Sequence, residues 1–477
     1  MLFNSIPFAL FLPCVLALYW AVQRAPLRVQ NSLLLLASYV FYGMWDWRFP
    51  LLLLVSSAVD FMVSLKLPEV KAPGRKKLLL GLSVAVNLLM LAFFKYFNFF
   101  VISFADLMRL FGLNANMDTI RILMPVGISY YTFKKLSYTI DVYRGTIAPT
   151  RDAPAFFAFI AFFPQLIAGP IDRGTTLLPQ FLAKRPFSES LAKDGLRQIL
   201  SGFMKKMILA DNLLPLVKEL FTHYPRYDGL SLVIGIFFAA MQLYCDFSGY
   251  TDIAIGIGKL FGFRLMRNFS VPYFSRDIAE FWRRWHISLS TWIRDYVYVP
   301  LCGVRPSRAR KAVDIVLAFT LCGLWHEAAW TYVFWGFLHG LYFLPMTLRR
   351  RHPRFLGTPA KGRLLPSLRE GRAMAGTFML TSIAWVFFSS DSFGQAFGLL
   401  GRVVAHPYMN LGYAAYLPML IACGLLLAVE WIQREKEFFL QIGNLPLVLR
   451  WGIYYVSLLL IIVFGAFGST EFIYTQF

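Results

Sequence analysis

The stretch LLLGLSVAVNLLMLAFFKYFN, residues 78–98, contains a single charged residue, Lys95. About 20 predominantly apolar residues cross the hydrocarbon core of a bilayer as a helix, so this stretch reads as a membrane span. Just before it, from Lys66 to Lys77, stand five basic residues and one acidic residue. Such an excess marks a cytoplasmic flank. Similar apolar runs recur at 5–22, 31–46, 49–66, 120–140, 154–170, 197–221, 230–262, 312–326, 328–347, 374–390, 411–432 and 447–468. Several are too short or too interrupted to cross alone. The expectation is an all-α polytopic membrane protein of about eleven crossings, with re-entrant and interfacial helices around them.

Composition agrees. Of 477 residues, 58% are hydrophobic and 15% charged, against about 45–50% and roughly 25% in soluble domains. The mean hydropathy is +0.57. The net charge of +21 lies between apolar runs, where it serves orientation and contact with anionic lipid headgroups better than nucleic acid. From Arg349 to Arg372, eight basic residues and one acidic residue surround Pro353, Pro359, Gly362 and Pro366, a second cytoplasmic loop. In the first apolar segment, Phe8 to Val22, the basic residues Arg24 and Arg28 follow rather than precede. This predicts a retained helix with its N-terminus outside, not a cleaved signal peptide. Five dispersed cysteines without a CxxC pair read mostly as small buried hydrophobes. No repeat or soluble domain interrupts the chain. The expectation is one membrane domain over 1–477, with core motifs at 120–345 and C-terminal helices at 374–468.

Two interrupted segments stand out. The first, 120–140, holds Pro125, Gly127, Lys134 and Lys135, and the second, 154–170, ends in Pro164, Gly169 and Pro170. Irregular backbone at membrane depth is tolerated only inside protein or along a cavity, so both are expected in a cavity wall.

The most unusual segment is SRDIAEFWRRWHISLSTWIRDYVYVP, 275–300. Projected at 100° per residue, Ile278, Phe281, Trp282, Trp285, Leu289, Trp292, Ile293 and Tyr296 form an apolar stripe. Glu280, Arg283, Arg284, Arg294 and Asp295 fall on the remaining surface, with His286 at the edge of the stripe. Such a helix either lies at an interface or lines a polar funnel, with His286 and Asp295 toward the chemistry. Ten basic and three acidic residues between Arg264 and Lys311 suit a polyanionic ligand.

A second constellation, LCGLWHEAAWTYVFWGFLHG at 321–340, sets His326 beside Glu327 between Trp325 and Trp330, with a kink expected at Gly323. A buried neutral imidazole is suited to general-base work. His339 lies about 220° further round if the helix is continuous, so it is expected to face elsewhere. No G-x-S-x-G, H-E-x-x-H or Walker A motif is present, and the histidine spacing assembles no metal site. Gly256, Gly258 and Gly262 read as helix-packing positions. The triplet at Asn268 is only formally a glycosylation signal.

Several motifs together resemble the membrane-bound O-acyltransferases. They are FWRRWHISLSTWIRDYVYVPL (281–301), GLWHEAAWTYVFWGFLHG (323–340), FFPQLIAGPIDR (162–173), LYCDFSGYTDIAIGIGKLFGF (243–263), the opening twenty residues and the terminal EFIYTQF (471–477). The resemblance is greatest to the bacterial branch associated with alginate O-acetylation. It implies a multi-helix fold around a central funnel or tunnel, with His326 as catalytic histidine and His286 as a second functional histidine. Trp285, Arg283, Arg284, Arg294, Asp295, Glu327 and Trp325 are expected to shape the funnel or bind the donor. The donor so implied is acetyl-CoA, a substrate rather than a bound cofactor. The partners implied are periplasmic acetyltransferases and an exopolysaccharide acceptor, with alginate ahead of cellulose or another envelope glycan, all at the bacterial inner membrane. Glu327 stands where the family commonly has glycine. Outside this class, a polymer-export component with a proton-relay histidine would call for internal inverted repeats, and the sequence shows none. A structural scaffold would tolerate loss of both histidines.

Overall fold

The computed structural model describes residues 1–113, 122–303, 306–348, 355–408 and 411–467. Among these residues regular structure is entirely helical. They group into two compact units, one of 1–192 with 257–266, the other of 193–256 with 267–477. The motif at 471–477 lies outside the described residues.

The first unit contains α1 (Ile6–Ala21), α2 (Leu27–Gly43), α3 (Arg48–Lys66), α4 (Pro73–Leu91), α5 (Phe97–Leu110), α6 (Ile128–Arg144), α7 (Ala153–Ala161), α8 (Phe163–Leu166) and α9 (Gly174–Leu182). The run that opened the sequence reading belongs to one apolar stretch, Pro73–Leu110, in which a π-helical turn joins α4 to α5. Of segment 120–140, residues 128–140 lie in α6, entered through Gly127 at φ +75, a conformation glycine adopts without steric cost. Its lysines are buried with partners. Lys134 donates to the Phe159 carbonyl (2.8 Å) and to Gln165 Oε1 (3.0 Å), and Lys135 pairs with Asp60 at 3.8 Å. Gln165 in turn donates to Asp172, whose carboxylate accepts from the Met266 amide. Segment 154–170 breaks at Phe162 into α7 and α8.

The second unit contains most of α10 (Glu189–Phe203), α11 (Asp211–Thr222), most of α12 (Gly229–Leu260), α13 (Ile278–Arg284), α14 (Ile287–Ile293), α15 (Val299–Cys302), α16 (Arg308–His326), α17 (Trp330–Leu348), α18 (Leu368–Phe388), α19 (Phe393–Ala405), α20 (Leu417–Ile432) and α21 (Leu447–Phe464). The long helix α12 is its spine. Of its most apolar window 72% is buried, against 11% for α21, which therefore offers its sides to lipid. Cβ atoms at Gly202, Gly249 and Gly256 would strike the facing backbone of Gly249, Gly202 and Gly195, so α10 and α12 cross at backbone contact. Gly256 is thus a packing position, whereas Gly262 (φ +82) ends the helix. Next to this crossing a π-helical turn, Met204–Ala210, buries two successive lysines. Lys205 pairs with Asp252 (2.9 Å) and Glu430 (3.4 Å), and Lys206 with Asp211 and Asp246 (both 2.7 Å).

Among the described residues, six helical stretches are long and apolar enough to cross a membrane. The protein is accordingly a multi-pass membrane protein. Three of its five cysteines are buried, and all five are free thiols.

The structure departs from the sequence-based expectation at several places. Segment 275–300 is not one helix: it breaks at His286, whose φ of +41 is left-handed. The extended segment at 268–270 takes up the released backbone groups. Ser270 donates to the Arg284 carbonyl and Ile287 to the Asn268 carbonyl, both at 2.9 Å. A 100° projection therefore fails beyond Trp285. Glu280 is buried rather than facing open surface, accepting from Arg276 and Arg284 at 2.9 Å each. Gly323 does not interrupt its helix. Helix α16 runs through it, and a Cβ there would meet the Tyr332 carbonyl and Gly336 Cα, so α16 and α17 form a closely packed hairpin. His339, finally, lies on the second arm of that hairpin rather than further along one continuous helix.

Candidate active site

His326 is the last residue of α16, and Glu327 continues from it in extended conformation. The helix end and the α17 arm place the His326 ring among Trp325 (centroids 4.9 Å apart), Trp335 (5.2 Å) and Phe388 of α18 (5.7 Å). The break between α13 and α14 delivers the second histidine to the same place. The rings of His286 and His326 lie 6.3 Å apart, and His286 packs against Phe247 of α12 at 4.6 Å. Trp325 touches both imidazoles. Both histidines are buried, His286 completely. The site is thus two imidazoles in one aromatic chamber, where water is scarce and polar interactions are strengthened.

The remaining expected residues divide. Trp285 is buried beside the chamber, stacked on Phe281 (5.5 Å) and against Trp385 (4.8 Å) and Phe269 (5.0 Å). Arg284 bonds Glu280 and the carbonyls of Ser270 and Gly357, and Arg283 bonds the Phe355 carbonyl at 2.6 Å. Arg294 and Asp295 pair with each other at 2.7 Å, with side chains 61% and 36% exposed. His286, His326 and Trp325 thus pack together, with Trp285 behind them.

His339 has a different environment. The indole nitrogen of Trp282, which can only donate, points at its Nδ1 from 3.2 Å. It packs against Trp335, 5.0 Å away, which in turn packs against His326.

Sequence reading missed Asn268. Its side chain is fully buried, and its Oδ1 meets the Ser288 hydroxyl (2.7 Å), the Ser288 amide (3.2 Å) and His286 Nδ1 (3.3 Å). The glycosylation triplet concealed it, and only the left-handed turn at His286 brings the two together. Asn268 also borders a small polar cavity of about 20 Å³, lined among others by Lys205, Asp252, Arg267 and Glu430, room for about one water.

Comparison with known proteins agrees with this architecture. The family model described as membrane-bound O-acyltransferase matches residues 148–384, which include both histidines. The chain is 41% identical over 396 residues to a Pseudomonas aeruginosa protein named "probable alginate O-acetylase AlgI", covering 82% of this chain and 72% of that relative. It is 31% identical over 434 residues to the Helicobacter pylori peptidoglycan O-acetyltransferase, covering 85% and 80%. A Bacillus subtilis teichoic acid D-alanyltransferase is 30% identical over 233 residues, 45% of this chain. Buried paired histidines in an all-helical membrane protein, a family model spanning both, and relatives matched over most of their length lead to one assignment: the chain belongs to the membrane-bound O-acyltransferase family and is an acyltransferase.

Proposed function

We propose that the protein transfers acetyl groups from acetyl-CoA at the cytoplasmic face of the inner membrane toward O-acetylation of an exopolysaccharide, alginate first. The observation that carries this reading is the pair of imidazoles 6.3 Å apart in one buried aromatic chamber. In it, His326 removes the proton from an acceptor hydroxyl as that oxygen attacks the thioester carbonyl. The carbon–sulfur bond breaks, and the departing thiolate takes the proton back. His286 holds the acceptor molecule beside that hydroxyl, and Trp325 and Trp285 shape the chamber. The exposed Arg283 and Arg294 are better placed than Arg284 to meet donor phosphates, because Arg284 is committed to Glu280. Glu327 directly follows the reactive residue in the chain. The basic loops at 66–77 and 349–372 face the cytoplasm and the N-terminus the periplasm, where partner acetyltransferases receive the acetyl group.

Identity of 41% to the alginate relative against 31% to the peptidoglycan relative favours alginate as acceptor. The test is complementation of an alginate-producing strain that lacks its own O-acetylase. The wild-type chain restores O-acetyl groups to alginate, and His326→Ala, present in the membrane at equal amount, restores none. Acetylation of peptidoglycan with alginate left bare would redirect the acceptor assignment. Full alginate acetylation by His326→Ala would reject the assigned chemistry.

A further inference from the structure

We infer that Asn268 is a positioning residue that fixes the ring orientation and tautomer of His286, leaving the lone pair of that imidazole on Nε2. Three groups converge on one atom, Asn268 Oδ1: the Ser288 amide, the Ser288 hydroxyl and His286 Nδ1. A backbone amide can only donate, so the side-chain atom facing it is the amide oxygen and not the nitrogen. That oxygen can only accept. The ring nitrogen 3.3 Å from it is therefore the protonated one, and in the neutral ring the other nitrogen is the acceptor. The arrangement is anchored on both sides. Ile287 donates to the Asn268 carbonyl and Ser270 to the Arg284 carbonyl, both at 2.9 Å, so the segment carrying Asn268 is bonded to the chain on either side of His286. Left-handed φ values at His286 (+41) and Val271 (+43) show how far the backbone departs from regular structure to bring this about. His339 provides the contrast: its Nδ1 accepts a hydrogen bond from the Trp282 indole, so its lone pair points at a packing residue.

The inference rests on the proposed role of His286, in which Nε2 accepts a hydrogen bond from the acceptor molecule beside the reacting hydroxyl, whose own proton goes to His326. Without the amide oxygen, the imidazole rotates or exchanges its proton, and the nitrogen presented to the acceptor molecule becomes a donor. The experiment uses the full chain in membrane vesicles from a strain carrying the polymer and partner proteins. Label transferred from acetyl-CoA is followed against donor concentration for Asn268→Ala, Asn268→Asp and His286→Ala, each at equal membrane abundance.

Asn268→Ala is expected to lower kcat about tenfold or more while KM for acetyl-CoA stays within about twofold, since the donor does not touch this amide. Asn268→Asp keeps the accepting oxygen and is expected to return kcat to within about threefold of wild type. If Asn268→Ala is lost from the membrane, Asn268→Asp decides alone, activity supporting the inference and inactivity overturning it. Wild-type kcat in Asn268→Ala, or an Asn268→Asp as impaired as Asn268→Ala, would overturn the inference while an inactive His286→Ala left the role of His286 standing. Full activity in His286→Ala would remove that role itself, and the inference with it.

Discussion

At the scale of single residues, the two histidines were legible because each stands in a tryptophan-rich run. Their surroundings were not. The chemistry of His286 depends on a left-handed residue, and the sequence carries no mark of it, because the turn is made by bonds to a segment some sixteen residues earlier. A non-glycine residue in this region costs on the order of 1 kcal/mol or more, and such strain gathers at functional sites. His339 illustrates the opposite case. Its position in the chamber's outer wall makes it structural: His339→Ala leaves the Trp282 indole buried without its acceptor, a loss of about 1–3 kcal/mol. The expected result is a lowered melting temperature in detergent with acetyl transfer retained by the protein that remains folded. Transfer lost at unchanged melting temperature would instead make His339 part of the chemistry.

At the scale of elements, apolar runs gave helices at nearly the expected places, because burying a long apolar run in lipid leaves few alternatives to a helix. Periodicity failed where tertiary bonds replaced helical ones, at 284–287, and where closeness rather than bending explained a glycine, at Gly323. The glycine crossing of α10 and α12 yields a direct contrast. Gly249→Val forces a branched side chain into the backbone of Gly202, whereas a Cβ at Gly424 in α20 meets nothing within 4 Å. Gly249→Val is expected to destabilise by about 1–3 kcal/mol or prevent accumulation, and Gly424→Val to melt with the wild type. Equal melting of the two variants would refute the close crossing. Glu280 is a second such point. Glu280→Gln removes the charge shared by Arg276 and Arg284 and is expected to destabilise the protein by about 3 kcal/mol, the order reached when one partner of a buried pair is lost, read as a fall in melting temperature.

At the scale of the whole molecule, composition identified the solvent before any motif identified the chemistry. The +21 charge carries an orientation argument, since lysine and arginine in short loops remain on the cytoplasmic side. Reporter domains fused after residue 77 and after residue 365 are both expected to report the cytoplasm, and a periplasmic signal from either would overturn the proposed orientation. The central claim is that one buried imidazole pair performs acetyl transfer, and it is tested most directly with purified protein in proteoliposomes supplied with labelled acetyl-CoA and the partner acetyltransferase. Wild-type protein is predicted to move label to the partner, whereas His326→Ala, inserted and melting normally, is predicted to lose at least about a hundredfold in rate. Wild-type transfer by that variant would contradict the account.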